Sequence, residues 1–328
     1  MPRALVTGIT GQDGSYLREQ LAAAGFEVHG VVRSLDDPDA RELRTAHPGI
    51  NLVEADLGDR ERLGRVIDEI APSRVFHLAG ISSVAYSWLH PVETGLLSGI
   101  AAAAVLEAAL RVQERTGETV QVVQASSAEI FGAAARSPQD ETTPMRPSSP
   151  YGAAKAYAHA MVGVYRTRGL HASSLILYNH ESPRRPEQFV TRKITAAAAR
   201  IARGRQDRLV LGDVNARRDW GWAPDYTRAM LLAAEAPEPD DYVIATGRSH
   251  SVREFVDRAF AAAGIADVEA HLEVEAGLLR PADSAELRGD ASHARAALGW
   301  RPSVDFDDLV RLMVEHDLEA IELPSRGH

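Results

Sequence analysis

Ala4-Leu5-Val6-Thr7-Gly8-Ile9-Thr10-Gly11-Gln12-Asp13-Gly14 stands near the start of a 328-residue chain. Ala4–Thr7 reads as a short buried strand, and Leu17 and Leu21 then fall on one face of a helix that Gly25 stops. Between them the glycines sit three apart, at Gly8, Gly11 and Gly14. Such glycines permit a tight turn and let backbone N–H groups approach a pyrophosphate at the helix N-terminus. A glycine-rich turn without a ligand is the plainer alternative, but strand before and helix after are the context nucleotide binding demands. Gly8, Thr10, Gly11, Gln12, Asp13 and Gly14 are therefore candidate cofactor-binding residues.

Outward from this loop, strands and helices alternate. Further strands are expected at Glu27–Val32, Asn51–Ala55, Val75–Leu78, Val120–Ala125 and Ser173–Leu177. Helices are expected at Arg60–Ile70, from Pro91 to about Thr116, and at Tyr151–Arg168. This alternation predicts an α/β fold with a doubly wound parallel sheet and right-handed crossovers. Ligands of such sheets lie beyond the C-terminal strand ends. Asp56 and Leu57 are placed there to grip an adenine, and Leu78, Ala79 and Gly80 are small enough for a dinucleotide to lie against the backbone. An acidic residue after the second strand would bind the ribose hydroxyls of NAD. Arg33 stands there instead and suits a 2′-phosphate, which favours NADP over NAD.

After Leu177 the regularity breaks. Tyr178–Gln188 and Arg217–Gly221 read as loops, Phe189–Arg203 and Tyr226–Ala236 as helices, Leu209–Asp213 and Tyr242–Ala245 as short strands. Ser251 and Glu254 form a capping-box pattern before Val252, Phe255, Val256, Ala259, Phe260 and Ala263, which share one helical face. Helices near Ala291–Leu298 and Phe306–Ala320 close the chain. The expected division is a dinucleotide-binding domain of residues 1–178 plus about 217–246 and a smaller interleaved α/β substrate lobe of 179–216 plus 247–328.

Chemistry is expected where the fifth strand ends. Ser126-Ser127-Ala128-Glu129 leaves it, and Ser149-Pro150-Tyr151-Gly152-Ala153-Ala154-Lys155 opens the next helix. Tyr151 and Lys155 are four apart and share a helix face. A phenol with a pKa of ~10 is a poor base at neutral pH, and a close ammonium favours its phenolate. Ser127 can hydrogen-bond the same sugar oxygen, and Glu129 is a carboxylate just beyond it. These four are the candidate catalytic residues of an alcohol-oxidising site with an extra base. An amphipathic helix with a surface lysine is the plainer reading, because Tyr-x-x-x-Lys is common by chance.

Composition narrows the class. With 45% hydrophobic and 25% charged residues the chain is an ordinary globular protein. A net charge of −10 and no basic stripe argue against a nucleic-acid partner. The absence of cysteine excludes disulfides, thiolate nucleophiles and cysteine-ligated zinc, and no metal is expected. No signal peptide is read at the N-terminus, and no run approaches ~18 apolar residues, so a cytoplasmic protein without a membrane partner is expected.

Several blocks closely resemble the GDP-mannose 4,6-dehydratases, extended short-chain dehydrogenase/reductases. They are Gly8–Leu17, Asn179-His180-Glu181-Ser182-Pro183, Phe189–Ile194, Arg218-Asp219-Trp220-Gly221, Asp241–Gly247, Ser251–Phe255 and Leu298-Gly299-Trp300. Several lie in loops, where packing alone does not dictate sequence. The resemblance implies tightly held NADP and a GDP-mannose substrate. It implies that Tyr151, aided by Lys155, takes the proton of the hexose 4-hydroxyl while hydride leaves carbon 4. Glu129 then takes the carbon 5 proton, water leaves carbon 6 and the hydride returns there, giving GDP-4-keto-6-deoxy-mannose. It further implies that Tyr151, Lys155, His180 and Arg185 contact the cofactor. Ser87, Ser127, Glu129, Asn179, Val190, Lys193, Arg218 and Arg280 would meet the sugar nucleotide.

Plainer roles stand beside these. His180 could pack a loop, Arg184 and Arg217 could be solvated or paired, Trp88 and Trp300 read as packing residues, and Trp220 either packs or shapes the site. The family usually has Thr at Ser127, Ser at Ala128 and Ala at Gly80. The segment Leu35-Asp36-Asp37-Pro38-Asp39 is short and acidic where the family has a longer loop that supports a tetramer. A homo-oligomer, dimer or tetramer, is expected. Three rivals remain: a 4-keto-sugar reductase, suggested by Ser82-Ser83-Val84 and Ser87-Trp88; a dehydratase for another nucleotide sugar; and a silent scaffold, which the intact Tyr151 and Lys155 disfavour.

Overall fold

A computed structural model describes residues 1–275 and 286–322. The first half alternates as β1 (Arg3–Thr7), α1 (Gln12–Ala23), β2 (Glu27–Val32), α2 (Pro38–Ala46), β3 (Asn51–Glu54), α3 (Arg60–Ile70) and β4 (Arg74–His77). Then come α4 (Val84–Leu89), α5 (Pro91–Gly95), a π turn at Leu96–Ile100, α6 (Ala101–Thr116) and β5 (Gln121–Ala125). A 3-10 turn at Ala128–Ile130 leads to α7 (Pro150–Thr167), β6 (His171–Leu177) and β7 (Asn179–Glu181). The rest runs α8 (Val190–Ala202), β8 (Leu209–Leu211), β9 (Arg217–Arg218), β10 (Trp220–Trp222), α9 (Ala223–Glu235) and β11 (Asp241–Ile244). It ends with β12 (His250–Ser251), α10 (Val252–Ala262), β13 (Leu272–Val274), β14 (Glu286–Leu287), α11 (Ser292–Leu298) and α12 (Phe306–Glu322).

Seven strands form one parallel sheet in the order β11-β6-β5-β4-β1-β2-β3. The chain starts centrally, runs out through β2 and β3, then returns to β4 on the other side of β1. The strand order therefore reverses between β1 and β4, and the crevice at that point is where such sheets take ligands. Period-2 alternation separates the two apolar faces. Ala4 and Val6 pack with Leu17, Leu21, Tyr226 and Met230 on one side. Leu5 packs with Leu63, Val66, Ile67, Leu106 and Ala109 on the other. A third core, with Ile194, Trp220, Phe255, Phe260, Leu309 and Met313, holds α8, α10 and α12 together as the second lobe. Ser251 and Glu254 make the capping box that starts α10, although Ala263 is only half-buried.

Four expectations are corrected. Arg217–Gly221 is not a loop, nor is Tyr178–Gln188 one throughout: β9 pairs with β12 and β14, and β10 pairs with β7 inside that second segment. Strands of two or three residues are too short to leave a periodic signal. α2, not among those expectations, begins at Pro38 inside the acidic segment after Arg33; Ala40 is its one buried residue, so it has no apolar stripe to read. The joined helix Pro91–Thr116 passes for a membrane span by length and composition, contrary to the expectation that no run would. Slightly more than half of that span is buried, and Val105, Leu106, Ala109 and Val112 lie in the core beneath the sheet. Trp88 is 46% exposed rather than packed, whereas Trp300 is buried and donates Nε1–H to Asp225 O at 2.7 Å.

Candidate active site

A cavity of about 470 Å³ opens at the crevice. Leu78, Gly80, Ser127 and Glu129 line it from the sheet side, Tyr151 and Lys155 from α7, Asn179, His180, Arg185, Val190 and Lys193 from the segment after β6, and Arg218 from β9.

Local sequence sets the catalytic corner. Ser149 accepts Gly152 N–H at 3.0 Å and Pro150 takes the first helical position, so α7 starts sharply and Tyr151 falls in its first turn. A Cβ on Gly152 would lie 2.5 Å from Glu129 O. Only glycine lets α7 press this closely on the turn that carries Glu129. Ser127 Oγ accepts Glu129 N–H at 3.2 Å, and its hydroxyl acts downward on the pKa of the neighbouring Tyr151 phenol. The serine, the phenol and the carboxylate thus meet in one place.

The electrostatics differ from expectation. Burial pushes the Tyr151 phenol up to about 12; the Ser127 hydroxyl and Arg185 act downward, Glu129 and Asp13 upward. Lys155 shares the helix face, with Nζ 5.9 Å from the Tyr151 ring centroid, but it donates to Ala125 O at 2.9 Å. Burial lowers its ammonium to about 8, against the pull of Asp13. The expected lowering of the phenol by Lys155 is therefore absent in this state: burial outweighs it, and the ammonium is turned to a backbone carbonyl.

The cofactor side fits a dinucleotide. α1 begins at Gly11, which offers no side-chain cap, so the first-turn N–H groups are open to an anion. Gly8 has φ +74°, and a Cβ there would meet Ala79 N at 3.0 Å; a Cβ on Gly14 would meet Gly8 O at 2.2 Å. The glycine loop, α1 and the turn after β4 close on one another as a pyrophosphate cradle requires. Thr7, not foreseen from the sequence, shapes that turn by accepting Leu78 N–H and Ala79 N–H, each at 3.1 Å. Arg33 extends after β2 with its side chain 74% exposed, 3.3 Å from Asp37. Asp56 accepts Gly58 N–H at 2.6 Å at the end of β3, beside half-buried Leu57, and Thr10 is exposed on the loop.

His180 does more than pack a loop. Nε2 meets Asp13 Oδ2 at 2.8 Å and Nδ1 meets Tyr178 O at 2.7 Å. Both partners only accept, so both ring nitrogens donate and the ring is an imidazolium. Burial pulls its pKa down, but the Asp13 charge and hydrogen bond prevail and the pKa is raised. Asp13 is depressed despite burial, by the same pairing. Gln12 adds Nε2–H to His180 O at 3.1 Å and accepts Ser182 Oγ–H at 2.8 Å. These bonds bolt the phosphate end of α1 to β7.

Arg185 lies with Nε 3.4 Å from Glu181 Oε2 and its guanidinium 3.7 Å above the Phe189 ring. Glu181 is a buried carboxylate that also accepts Thr191 Oγ–H at 2.6 Å. It was missed in the sequence, where the i,i+4 spacing to Arg185 is its trace. Lys193 donates to Val210 O at 2.7 Å on the cavity wall. Ser87 is not brought to the site: it is fully buried, gives its hydroxyl to Val84 O at 2.7 Å and does not line the cavity. Arg280 lies outside the described residues. Arg184 and Arg217 are paired near the surface, with Glu19 at 3.0 Å and Glu254 at 3.7 Å. Trp220 is buried and lines the cavity, so it both packs and shapes the site.

Comparison with known proteins agrees with this geometry. The fold matches a Thermus thermophilus UDP-glucose 4-epimerase in complex with NAD, at TM-score 0.82 and 30% identity over 96% of this chain and 98% of the other. "GDP-mannose 4,6 dehydratase 1" of Arabidopsis thaliana is 45% identical over 96% of this chain and 90% of its own length. The Homo sapiens GDP-mannose 4,6 dehydratase is 39% identical over 97% of this chain and 92% of its own. The profile of the GDP-mannose 4,6 dehydratase family matches residues 5–313, nearly the whole chain, and with the site geometry it establishes that the chain belongs to that family.

Proposed function

We propose that this chain is a lyase that dehydrates GDP-mannose to GDP-4-keto-6-deoxy-mannose with a bound nicotinamide dinucleotide, NADP. One observation carries the reading: Ser127 and Tyr151, an alcohol-oxidising pair, share a cavity wall with the carboxylate of Glu129. The nicotinamide supplies a hydride acceptor that gives the hydride back to the same sugar. Tyr151 takes the proton of the 4-hydroxyl, whose oxygen Ser127 holds. A ketone at carbon 4 acidifies carbon 5, and Glu129 removes that proton. Glu129 then protonates the departing 6-hydroxyl, which leaves as water. The proton count closes when the proton first taken by Tyr151 is replaced at carbon 5. Arg185, Lys193 and Arg218 bring positive charge to the wall that would face the diphosphate.

Arg33 supports NADP, since its exposed guanidinium is within reach of one acidic partner only loosely, at 3.3 Å. A homo-oligomer is supported by an apolar stripe: Leu89, Val92, Leu96 and Ile100 are exposed beside Tyr157 and Val164 of the adjoining α7. Two packed helices presenting such a face suit a second copy of the chain. We retain the two-part division of the chain given above and a cytoplasmic site of action as parts of the same proposal. The test is incubation with GDP-mannose and catalytic NADP without added reductant. Loss of one water by mass, with no net reduced cofactor, is expected. Unchanged GDP-mannose would overturn the reading, and turnover of another nucleotide sugar in a panel would move it to that substrate. The mass of the dinucleotide that copurifies decides NADP against NAD.

A further inference from the structure

Asp219 has no solvent exposure, yet it carries a carboxylate. Oδ1 accepts Thr246 N–H at 2.9 Å and Thr246 Oγ–H at 2.6 Å. Oδ2 accepts Gly247 N–H at 2.8 Å and Gly289 N–H at 3.3 Å. The successive N–H groups of Thr246 and Gly247 converge because Gly247 takes φ +85°, which forms an anion nest. Thr246 and Gly247 follow β11 of the main sheet, and Gly289 follows β14. The backbone of Asp219 also donates to Leu287 O at 3.0 Å. One buried carboxylate therefore ties β9 to the end of the main sheet and to β14.

Burial pushes the Asp219 pKa up, and the Thr246, Gly247 and Gly289 bonds act against it. Holding a carboxylate among neutral donors is a costly way to join strands, and an apolar side chain could pack there without that desolvation. What the nest adds is direction. Arg218 precedes Asp219, and side chains alternate along an extended segment. With Asp219 turned into the nest, Arg218 faces the cavity, 8% exposed and lining its wall. Leu287, paired in register with Arg218, lines the same wall.

We infer that Asp219 is a positioning residue that aims Arg218 at the diphosphate of the bound nucleotide sugar. The inference rests on the nucleotide-sugar reading of this cavity. Calorimetric binding of GDP and of NADP, measured separately, tests it in Asp219→Asn and in the milder Thr246→Val, which removes one donor to Oδ1. Asp219→Asn is expected to weaken GDP binding and raise the GDP-mannose KM at least tenfold, with kcat within about threefold and NADP affinity unchanged. Thr246→Val should give a smaller loss of the same kind, about threefold. In an Arg218→Ala background, Asp219→Asn should add nothing to the KM. Equal loss of GDP and NADP affinity, or full additivity with Arg218→Ala, overturns the proposal. If Asp219→Asn does not fold, unchanged GDP affinity in Thr246→Val overturns it instead. A wild-type chain that binds GDP but does not turn over GDP-mannose would count against the activity, while the GDP affinities would still decide the role of Asp219.

Discussion

Replacing Asp13 by Asn should cost about 1.5–3 kcal/mol of stability at mildly acidic pH, the range for a hydrogen bond to a charged group. The Asp13 carboxylate meets the His180 imidazolium at 2.8 Å, with side chains 19% and 11% exposed, so solvent screening discounts the pair only in part. In the variant the ring can lose its Nε2 proton and accept the new amide while Nδ1–H keeps Tyr178 O. That escape keeps the loss below the ~3–5 kcal/mol expected when a buried charge is stranded. The signature is in the pH dependence. His180 is raised above its ordinary 6.5, so its contribution is full below 6.5 and is lost as pH rises through the folded value. Asp13 is depressed below its ordinary 3.8, so its contribution is full above 3.8 and is lost as pH falls through the folded value. The pair therefore stabilises most between those limits and fades on both flanks. Urea midpoints of wild type and Asp13→Asn should be furthest apart between the two ordinary values and draw together as pH rises through the folded value of His180, with unchanged m-values. A difference that is constant with pH would show that His180 is neutral in the fold, and the reasoning from its two acceptors would fail.

Three further outcomes are expected. Glu129→Gln should abolish solvent deuterium entry at carbon 5 of the product sugar while leaving cofactor affinity intact; unchanged exchange would remove Glu129 from the reaction. Tyr151→Phe should lower turnover by roughly 10²–10⁴-fold, as loss of a positioned general base does, and should show no transient reduced nicotinamide by absorbance. Ile100→Glu combined with Val164→Glu should shift the sedimentation coefficient to that of a single chain without lowering the thermal midpoint of the monomer, because both side chains are at least 40% exposed; an unchanged coefficient would place the oligomer contact elsewhere.

The main sheet was legible because its signals are local and redundant. Glu27–Val32 and Arg60–Ile70 have the bounds read from their patterns, and the glycine loop lies between the strand and helix it implied. Tyr151, Lys155, Ser127 and Glu129 were legible as a group because two short segments carry them, each at the C-terminal edge of a strand or the start of a helix. What could not be read was pairing at a distance. β9 and β10 are built from partners at Asn179–Glu181, His250–Ser251 and Glu286–Leu287, and nothing within Arg217–Trp222 announces them. The same holds for Ser87, whose motif pointed to substrate but whose hydroxyl found a carbonyl three residues back. Charge was the least legible property. Spacing put Lys155 beside Tyr151, but only the fold shows how strongly burial acts on both.

That burial bears on when the base exists. A phenol at about 12 is ionised in roughly one molecule in 10⁵ at neutral pH, so the site as folded alone is not basic. Lys155, at about 8, remains mainly protonated there. An ammonium has three donors, and Ala125 O takes one of them at 2.9 Å. The other two are available to ligand oxygens, which would hold the charge near Tyr151 and replace the solvent that burial removed. Glu129 works in the opposite sense, since its negative charge raises the phenol. The two bases therefore resist being charged together, so a phenolate beside the Glu129 anion is the stronger base and takes the 4-hydroxyl proton more readily while Glu129 is still ionised. Oxidation before elimination is thus favoured by the electrostatics of this corner as well as by the acidity a ketone lends to carbon 5.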